Sequence, residues 1–515
     1  MVNEQNFWLL DNQFSPQVFT PLEQDLIAIS MNYGGVSTDV QSTPNAYNFV
    51  DGYLYTHAEE DKDRLNVNPN ANSAEMMGKE SAWRNTYLPE IQSNLKPMRQ
   101  VIFKESNLSE LSQHFTYLLE IYHRHWELHE QFQFPSIRSY WIDTYQELCD
   151  QPYTLQTEIL LTGTSNLTEE LLTGITDLAK FIQTPGDVRS AIRSHPPEEA
   201  LAILTTTDDG FAFLKNLLDF IADFGLRTGH GFGSPFSWRT PTWLEEPAQV
   251  LAILHPYLDT EIAKFAENAS ALREKRESFQ NEIMETLKND TDRNQFLTAL
   301  DLARNNATNR ENHNFFIEQM TNGYIRICLT ELADRLVNND TLTTKDDIFF
   351  LNLEQVMAVI SGVTVPDLTR IIETNRTEHE NQAEITPPKR LDASSAKIQE
   401  NETNISSSKF SLKGVPASAG ITTGRARVID STDSIPMIDS SDIIVTKNAG
   451  PMWIPLLPSI DALVLDYGEI ASHAPILMRE YQIPCVIQTQ NGTNMINNGQ
   501  TITIDGTNGI IHLEK

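Results

Sequence analysis

The segment that decides the fold of the C-terminal part of the chain is 462–481, which reads ALVLDYGEIASHAPILMREY. Its first four residues are apolar, as expected of a buried strand. Ser472 is a good helix N-cap, and Pro475 is favoured in the first turn of a helix. The segment therefore predicts a strand, a loop and a helix that begins close to His473.

His473 is consequently a candidate acceptor of a phosphoryl group. The backbone N–H groups at a helix N-terminus favour bound anions, and they could hold the phosphoryl oxygens. A neutral imidazole has a lone pair near neutral pH, so it can act as a nucleophile without a strong base beside it. The alternative from local sequence is a histidine that caps the helix or fills the core, and the spacing alone leaves both open.

Short runs rich in apolar and β-branched residues surround this segment. They are separated by Gly, Pro, Asn and Asp, the pattern of a small domain with several strands. The runs are 426–429, 442–445, 462–465, 484–487 and 501–504. Residues 409–515 are therefore predicted to form a small α/β domain.

The preceding residues, 1–375, are predicted to be mainly α-helical. Apolar side chains recur at helical spacing in 214–221 and in 329–336, and strand-like alternation is scarce before residue 400. Between helical stretches, 225–247 is rich in Gly and Pro and predicts a long structured loop, a kind of segment that is often functional.

The segment 376–408 is polar, contains two adjacent prolines and has no aromatic residue. Such a composition cannot bury enough apolar surface to offset the entropy of ordering. We expect a flexible linker over 376–408, which divides the chain into a helical domain (1–375) and an α/β domain (409–515).

Composition narrows the classes of partner and site. The 515 residues include 38 Lys and Arg against 70 Asp and Glu, a formal net charge of −32, which disfavours nucleic acid and anionic membrane surfaces as partners. Three distant cysteines without a C-x-x-C pair predict neither a disulfide framework nor a thiolate zinc site. No apolar run is long enough for a membrane helix, and the first residues do not read as a signal peptide. We expect a cytoplasmic protein.

Several motifs occur in a fixed order in the α/β domain, and together they resemble the swivelling phosphohistidine domain of the phosphoenolpyruvate-utilising enzymes. They are KGVPASAGI (413–421), TGRA (423–426), DIIV (442–445), PMW (451–453), SHA (472–474), REYQIP (479–484) and DG (505–506). The resemblance implies that His473 is phosphorylated and that the domain carries the phosphoryl group between two active sites. It also implies that Ser472 and Arg479 support the phosphohistidine.

The helical part is similar to the middle domain of the rifampicin phosphotransferase and pyruvate, water dikinase branch of that family. The matching residues are Trp8, Asp11, Phe14, Pro16, Thr20, Pro21, Phe224, Gly225, Arg227, PTWLEEP (241–247), Arg310, Glu311, Asn312 and DDIFFL (346–351). The resemblance implies that this part receives a small-molecule acceptor. Within 225–247, Arg227, His230 and Trp243 are the candidate substrate-binding residues, with Arg239 nearby; the alternative is that Trp243 packs and Arg239 is a surface charge.

Three features depart from the family pattern. Gly468-Glu469 stands where relatives have Gly-Gly, Pro475 follows Ala474 where Ala is usual, and Leu226 replaces a histidine that relatives often carry. Neither an ATP-grasp domain nor a G-x-x-x-x-G-K-[ST] loop is recognisable in the sequence. We therefore expect no directly bound cofactor, with ATP and Mg²⁺ on a separate ATP-grasp type subunit.

His125 and His129 are spaced i, i+4 on one helix face, as in a zinc pair, but no third ligand is evident in the sequence, so no metal site is predicted.

Taken together, the motifs predict the phosphohistidine-carrier and acceptor-binding component of a split ATP-dependent phosphotransferase. This component would phosphorylate a small molecule, or activate it for elimination or condensation. The alternative is a non-catalytic ligand-binding or regulatory protein derived from the same family.

Overall fold

The computed structural model describes 6–11, 17–31, 47–59, 73–132, 135–162, 167–227, 236, 238–392, 411–429, 437–450, 453–470 and 472–514. The helices are α1 (Pro21–Met31), α2 (Ser73–Ala82), α3 (Leu88–Leu95), α4 (Leu108–Phe132), α5 (Pro135–Cys149), α6 (Leu167–Gln183), α7 (Asp187–Ser194), α8 (Pro197–Leu204), α9 (Asp208–Phe224), α10 (Ala248–Leu254), α11 (Ala263–Thr286), α12 (Asp290–His313), α13 (Asn322–Asn338), α14 (Leu353–Ile360), α15 (Leu368–Ala383), α16 (His473–Glu480) and α17 (Gly492–Met495). Two segments are π-helical, Trp83–Tyr87 and Asn314–Thr321.

The strands are β1 (Asn6–Leu10), β2 (Tyr47–Val50), β3 (Tyr53–Glu59), β4 (Arg390–Asp392), β5 (Ser411–Lys413), β6 (Val415–Ser418), β7 (Ile421–Ile429), β8 (Asp442–Thr446), β9 (Ala462–Leu465), β10 (Cys485–Ile487), β11 (Thr501–Asp505) and β12 (Ile510–Leu513). The chain forms two compact units. The first contains 1–133, 234–241 and 313–403, and the second contains 134–233, 242–312 and 404–515.

The first unit combines helices with a four-stranded antiparallel sheet of order β2-β3-β1-β4. Helix α4 packs against α13. Leu111, Phe115 and Leu118 form part of the buried apolar face of α4. The sheet was not predicted from the sequence. Its strands are short, and only β1 and β3 contribute more than four residues, so period-2 alternation is too brief to detect.

The predicted linker 376–408 is wrong over part of its length. Residues 376–383 are the end of α15, and β4 pairs with β1 through Trp8 and Leu391. The hydroxyls of Tyr53 and Tyr55 also donate hydrogen bonds to the carbonyls of Ile385 and Pro388, at 3.1 and 2.9 Å. Polar composition did not reveal these contacts because the partner strands lie more than 300 residues earlier. Residues 393–408 lie outside the described residues.

The second unit contains an eight-stranded sheet of order β5-β12-β11-β7-β8-β9-β10-β6. Its central strands β7, β8, β9 and β10 are parallel, and the outer pairs are antiparallel. Alternate side chains of β8, β9 and β11, such as Ile443, Val464 and Ile502, pack in one apolar core. Helix α16 joins β9 to β10, so His473 follows the carboxyl end of a central strand, the usual edge for ligand binding in such sheets.

The predicted fold class, a mainly helical N-terminal part with a small α/β domain at the C-terminus, is confirmed. All five predicted strand runs lie on β7 to β11, and the two helical runs lie in α9 and α13. The second unit nevertheless crosses the predicted boundary, because it joins the helices between 134 and 312 to the α/β domain. No helix in the described part of the chain is both long enough and apolar enough to cross a membrane.

Candidate functional site

The predicted helix start at His473 is confirmed, since α16 begins at this residue and Ser472 occupies the N-cap position. The Ser472 hydroxyl does not cap the helix. It donates to the Glu469 carbonyl at 2.7 Å, and the Ser472 backbone N–H donates to the same oxygen at 3.0 Å. Ser472 therefore closes the turn that leads into the helix and sets where His473 begins. Gly468 in this loop has φ +136°, a conformation that side chains other than hydrogen rarely adopt.

The imidazole of His473 contacts a carboxylate from the helical part of the same unit. His473 Nδ1 lies 2.5 Å from Oε1 of Glu311, near the end of α12, and Thr168 Oγ1 donates to the other carboxylate oxygen at 2.7 Å. Burial by itself would raise the pKa of Glu311, but the charge and hydrogen bond of His473 and the Thr168 hydroxyl lower it to about 2. A carboxylate only accepts hydrogen bonds, so Nδ1 of His473 carries the proton. In the neutral ring the lone pair is then on Nε2.

Arg227 brings a positive charge to the same site. Its side chain is 3% exposed, and its guanidinium lies 5.9 Å from the centre of the Phe224 ring. Burial lowers the pKa of Arg227 to about 9, while the charge of Glu311 acts in the opposite direction. Arg227 is thus a buried cation close to the carboxylate that holds His473. Such a group can offset the negative charge of a transferring phosphoryl group.

The side chain of Arg479 is hydrogen-bonded to the segment that precedes His473. Its Nη1 donates to the carbonyls of Ala417 and Ile470, at 3.1 and 2.9 Å, and burial lowers its pKa. The nearby carboxylate of Asp466 accepts hydrogen bonds from the hydroxyls of Thr489 and Thr493. Arg479 therefore links strand β6 to the loop between β9 and α16. Its role toward a phosphohistidine stays a prediction.

The structure describes two of the other residues predicted from the loop 225–247, Trp243 and Arg239, and they belong to different compact units. Trp243 belongs to the second unit, is fully buried and stacks on Phe220 with ring centres 6.0 Å apart. Arg239 belongs to the first unit and pairs with Asp346 at 3.4 Å. His230 lies outside the described residues. The observed role of Trp243 is packing, and contact of Trp243 or His230 with a substrate stays a prediction.

The two histidines of α4 that are spaced i, i+4 contact different groups. His125 Nδ1 lies 2.9 Å from the Thr321 hydroxyl, and burial lowers the pKa of His125 to about 3. His129 lies one turn later and faces His313 and Glu318. The two histidines therefore do not serve as one pair of ligands.

Sequence reasoning missed Glu311 and Thr168 as site residues. Glu311 was part of a matching tripeptide, Arg310-Glu311-Asn312, but nothing in its spacing connected it with a histidine 162 residues later. Thr168 reads as an ordinary residue at a helix start. The matching tripeptide was the one sequence signal that could have identified Glu311 as a site residue.

Comparison with known proteins finds family matches over both parts of the chain that contribute to this site. Residues 438–509 match the family described as PEP-utilising enzyme, mobile domain, and residues 135–311 match the rifampicin phosphotransferase fourth domain. The predicted resemblance to the phosphoenolpyruvate-utilising enzymes, in their rifampicin phosphotransferase branch, is thereby confirmed. The second match ends at Glu311, and the first includes His473.

Three curated relatives illustrate the resemblance. An uncharacterized phosphotransferase of Bacillus subtilis is 26% identical over 71% of this chain, and the rifampicin phosphotransferase of the same organism is 26% identical over 68%. Chondramide synthase of Chondromyces crocatus is 25% identical over 84% of this chain. The aligned region is 44%, 40% and 12% of these relatives, respectively, so the chain spans less than half of the length of each.

Proposed function

We propose that this chain is the phosphohistidine-carrier and acceptor-binding component of an ATP-dependent phosphotransferase that acts on a small molecule. The observation that carries the proposal is the contact between His473 Nδ1 and the Glu311 carboxylate, in which a helix-start histidine of the α/β domain meets an acid of the helical part. This contact orients an imidazole nitrogen for nucleophilic chemistry at a site with a buried cation.

Two transfers make up the proposed reaction. In the first, the Nε2 lone pair of His473 attacks a phosphorus atom of ATP, the N–P bond forms, and the P–O bond to the departing nucleotide breaks. In the second, an acceptor oxygen attacks the same phosphorus, the P–O bond forms, and the N–P bond breaks. A hydroxyl acceptor loses its proton to solvent, and His473 returns to the neutral ring with Nδ1–H donating to Glu311.

Protein groups have distinct tasks in this scheme. Glu311 holds the ring in the tautomer that leaves the Nε2 lone pair for attack, in the way that a carboxylate orients a catalytic histidine elsewhere. Arg227 offsets charge on the phosphoryl oxygens during transfer. Ser472 and Arg479 keep the turn before His473 in place through their hydrogen bonds to backbone carbonyls.

The proposal also includes the class of the acceptor and the location of the ATP-binding site. Relatives named rifampicin phosphotransferase support a small-molecule acceptor, and the relative named chondramide synthase supports a place in secondary metabolism. We assign ATP and Mg²⁺ to a separate ATP-grasp type subunit; the 515 residues contain no G-x-x-x-x-G-K-[ST] pattern that would hold the phosphates here. Phosphorylation would either give the product or activate the acceptor for elimination or condensation.

The test is phosphorylation of the chain by ATP in the presence of a candidate ATP-grasp partner. We expect intact mass to rise by one phosphate that is lost in acid, and His473→Ala to abolish the gain. His512→Ala is the matched control, because His512 is an exposed histidine of the same sheet on β12. Phosphate retained in His473→Ala would refute the assignment. A chain that no partner phosphorylates would favour a non-catalytic ligand-binding or regulatory protein.

A further inference from the structure

Three side chains of the first unit converge outside the site described above. His129 lies on α4, His313 is the last residue of α12, and Glu318 lies in the π-helical segment Asn314–Thr321. One ligand atom from each lies within 4.8 Å of the others, and no other group of three His, Cys, Asp or Glu among the described residues meets this condition. Both histidines are buried, with 7% and 6% exposure.

The separations are close to those between the ligands of a metal ion, one within the expected range and one about 0.2 Å above it. Nε2 of His313 lies 3.3 Å from Oε1 of Glu318, and Nε2 of His129 lies 3.8 Å from the same oxygen. Tetrahedral zinc with bonds of about 2.0–2.2 Å places its ligand atoms about 3.3–3.6 Å apart. A charge-assisted hydrogen bond between an imidazolium and a carboxylate would be shorter, about 2.7–2.9 Å. The spacing therefore fits an ion between the three groups better than a direct ion pair.

The surroundings hold the carboxylate in the required orientation. Asn314 Nδ2 donates to Oε2 of Glu318 at 2.7 Å, and Gln319 Nε2 donates to the Asn314 side-chain oxygen at 2.5 Å. The first bond engages Oε2 and the second fixes Asn314, while Oε1 lies on the side of the imidazoles. Hydrogen bonds to a ligating carboxylate are a regular feature of metal sites, where they fix its position.

The π-helical turn explains how His313 and Glu318 reach the same ion. Residues five apart on an α-helix lie about 140° apart around its axis, on nearly opposite sides. In a π-helix the backbone hydrogen bonds join residues i and i+5, so residues at this spacing stack on one side. The segment Asn314–Thr321 begins directly after His313. Its winding is therefore what brings Glu318 beneath His313 and opposite His129.

We propose that His129 Nε2, His313 Nε2 and Glu318 Oε1 bind a zinc ion, with a water as the fourth ligand. Two imidazoles and one carboxylate form a borderline-soft donor set that suits Zn²⁺ better than Mg²⁺ or Ca²⁺. The ion would join α4 to the π-helical segment in the first unit. This proposal is independent of the phosphotransferase proposal, because none of its three ligands takes part in that chemistry.

The experiment uses the 515-residue chain without a tag, after treatment with a chelator. Titration with Zn²⁺ against a competing chelator is expected to give one ion per chain with a Kd below about 1 µM. Glu318→Gln keeps the size of the side chain but removes its charge, and it should weaken binding at least about 100-fold, as should His313→Asn. His123→Asn is the control, since His123 is an exposed histidine of the same helix.

Two further measurements keep the test independent of how well the variants fold. The visible spectrum of the Co²⁺-loaded wild-type chain should show a tetrahedral site with nitrogen and oxygen ligands. Zn²⁺ should raise the thermal midpoint of the wild-type chain and of His123→Asn but not that of Glu318→Gln. Absence of saturable Zn²⁺ binding to the wild-type chain, or equal affinity in the wild-type chain and both ligand variants, would overturn the proposal.

Discussion

At the scale of single residues, the chemistry of His473 depends on the carboxylate that it contacts. Glu311 is ionised because the His473 ring and the Thr168 hydroxyl offset the cost of burying its charge. An ionised, fixed acceptor for Nδ1 is what determines which ring nitrogen carries the lone pair. The tautomer of His473 is therefore set by a residue from a different part of the chain.

Replacing Glu311 tests that dependence. In Glu311→Gln the amide can turn its NH₂ group toward Nδ1, which favours the wrong tautomer of His473. We expect transfer from phosphorylated His473 to an acceptor to slow by about 10-fold to 100-fold, with the folded structure retained. Single-turnover transfer, followed by quenched flow, is the measurement. Asp301→Asn, at an exposed position of the same helix, should behave as wild type; an equal loss in both variants would contradict the assigned role.

A second residue-scale prediction concerns His125. Its pKa in the folded chain is about 3 because it is buried, below the ordinary value of 6.5. Below pH 6.5 the unfolded chain therefore binds a proton that the folded chain does not, and stability falls as the pH is lowered toward 3. This one group should cost about 2 kcal/mol between pH 6.5 and pH 5.

The measurement is urea unfolding of the wild-type chain and of His125→Gln at both pH values. The variant should lose less stability on acidification than the wild type, by about that amount. His123→Gln, at the exposed position two residues earlier, should retain the wild-type dependence. An unchanged pH dependence in His125→Gln would show that His125 is not the responsible group.

At the scale of secondary-structure elements, the start of α6 and the end of α12 together present Glu311. The Leu167 backbone N–H donates to the Asn312 side chain at 3.2 Å, and Thr168 Oγ1 donates to Glu311. A helix N-terminus has unsatisfied N–H groups, so side-chain acceptors from a neighbouring helix stabilise it. The orientation of Glu311 is consequently a property of two helices and not of α12 alone.

Thr168→Val removes the hydroxyl that holds Glu311 while keeping the shape of the side chain. Loss of a hydrogen bond to a buried carboxylate should destabilise the chain by about 1–3 kcal/mol. We expect phosphoryl transfer to slow by about tenfold, since Glu311 is less well fixed. Thr173→Val, on an exposed turn of the same helix, is the control. Chemical denaturation and single-turnover transfer give the two readouts, and wild-type values in Thr168→Val would contradict the argument.

The loop before α16 offers a further test at this scale. Gly468 has φ +136°, and a Cβ there would meet Leu465 and Ser472 only at ordinary contact distances, so strain would come from the backbone. Gly468→Ala should destabilise the chain by about 1–3 kcal/mol and slow phosphorylation of His473 by shifting the loop. Gly499→Ala provides comparable backbone strain at a turn with φ +84°. Stability should fall in both variants, but phosphorylation only in Gly468→Ala.

At the scale of the whole molecule, the proposed carrier must reach two sites, while the structure describes His473 in contact with Glu311 of the helical part. Other contacts join the α/β domain to the helices of the second unit: His255 Nδ1 lies 3.0 Å from the Ile438 carbonyl, and the rings of Phe265 and Tyr481 lie 5.4 Å apart. If the domain swivels between donor and acceptor, these contacts must break in each cycle.

Locking one of these contacts tests the swivelling motion. Phe265→Cys with Tyr481→Cys, in a Cys149→Ser background, can be joined by a short bismaleimide. The locked chain should lose multiple turnover, yet transfer from His473 phosphorylated before cross-linking should persist. Thr423→Cys with Thr503→Cys is the control, since these hydroxyls lie 2.7 Å apart within one sheet. Full turnover of the locked chain would mean that no large excursion is needed.

Local sequence was sufficient for the elements that are specified by neighbouring residues. Caps and turn residues predicted the start of α16 at His473, and periodicity predicted the strand runs and the amphipathic stripes of α9 and α13. These signals act over only a few positions of the sequence. For the same reason His473 could be singled out from the sequence, because a helix start and a family motif coincide at one residue; its phosphorylation stays a prediction.

Only the tertiary structure placed residues that are distant in sequence beside one another. Glu311 lies 162 positions before His473, and β4 pairs with β1, which lies more than 300 residues earlier, so neither contact has a local signature. His129 meets its two neighbours because a π-helical turn changes which residues share a side of the helix. Periodicity reports which face of an element is buried, whereas the partner of that face depends on how the whole chain packs.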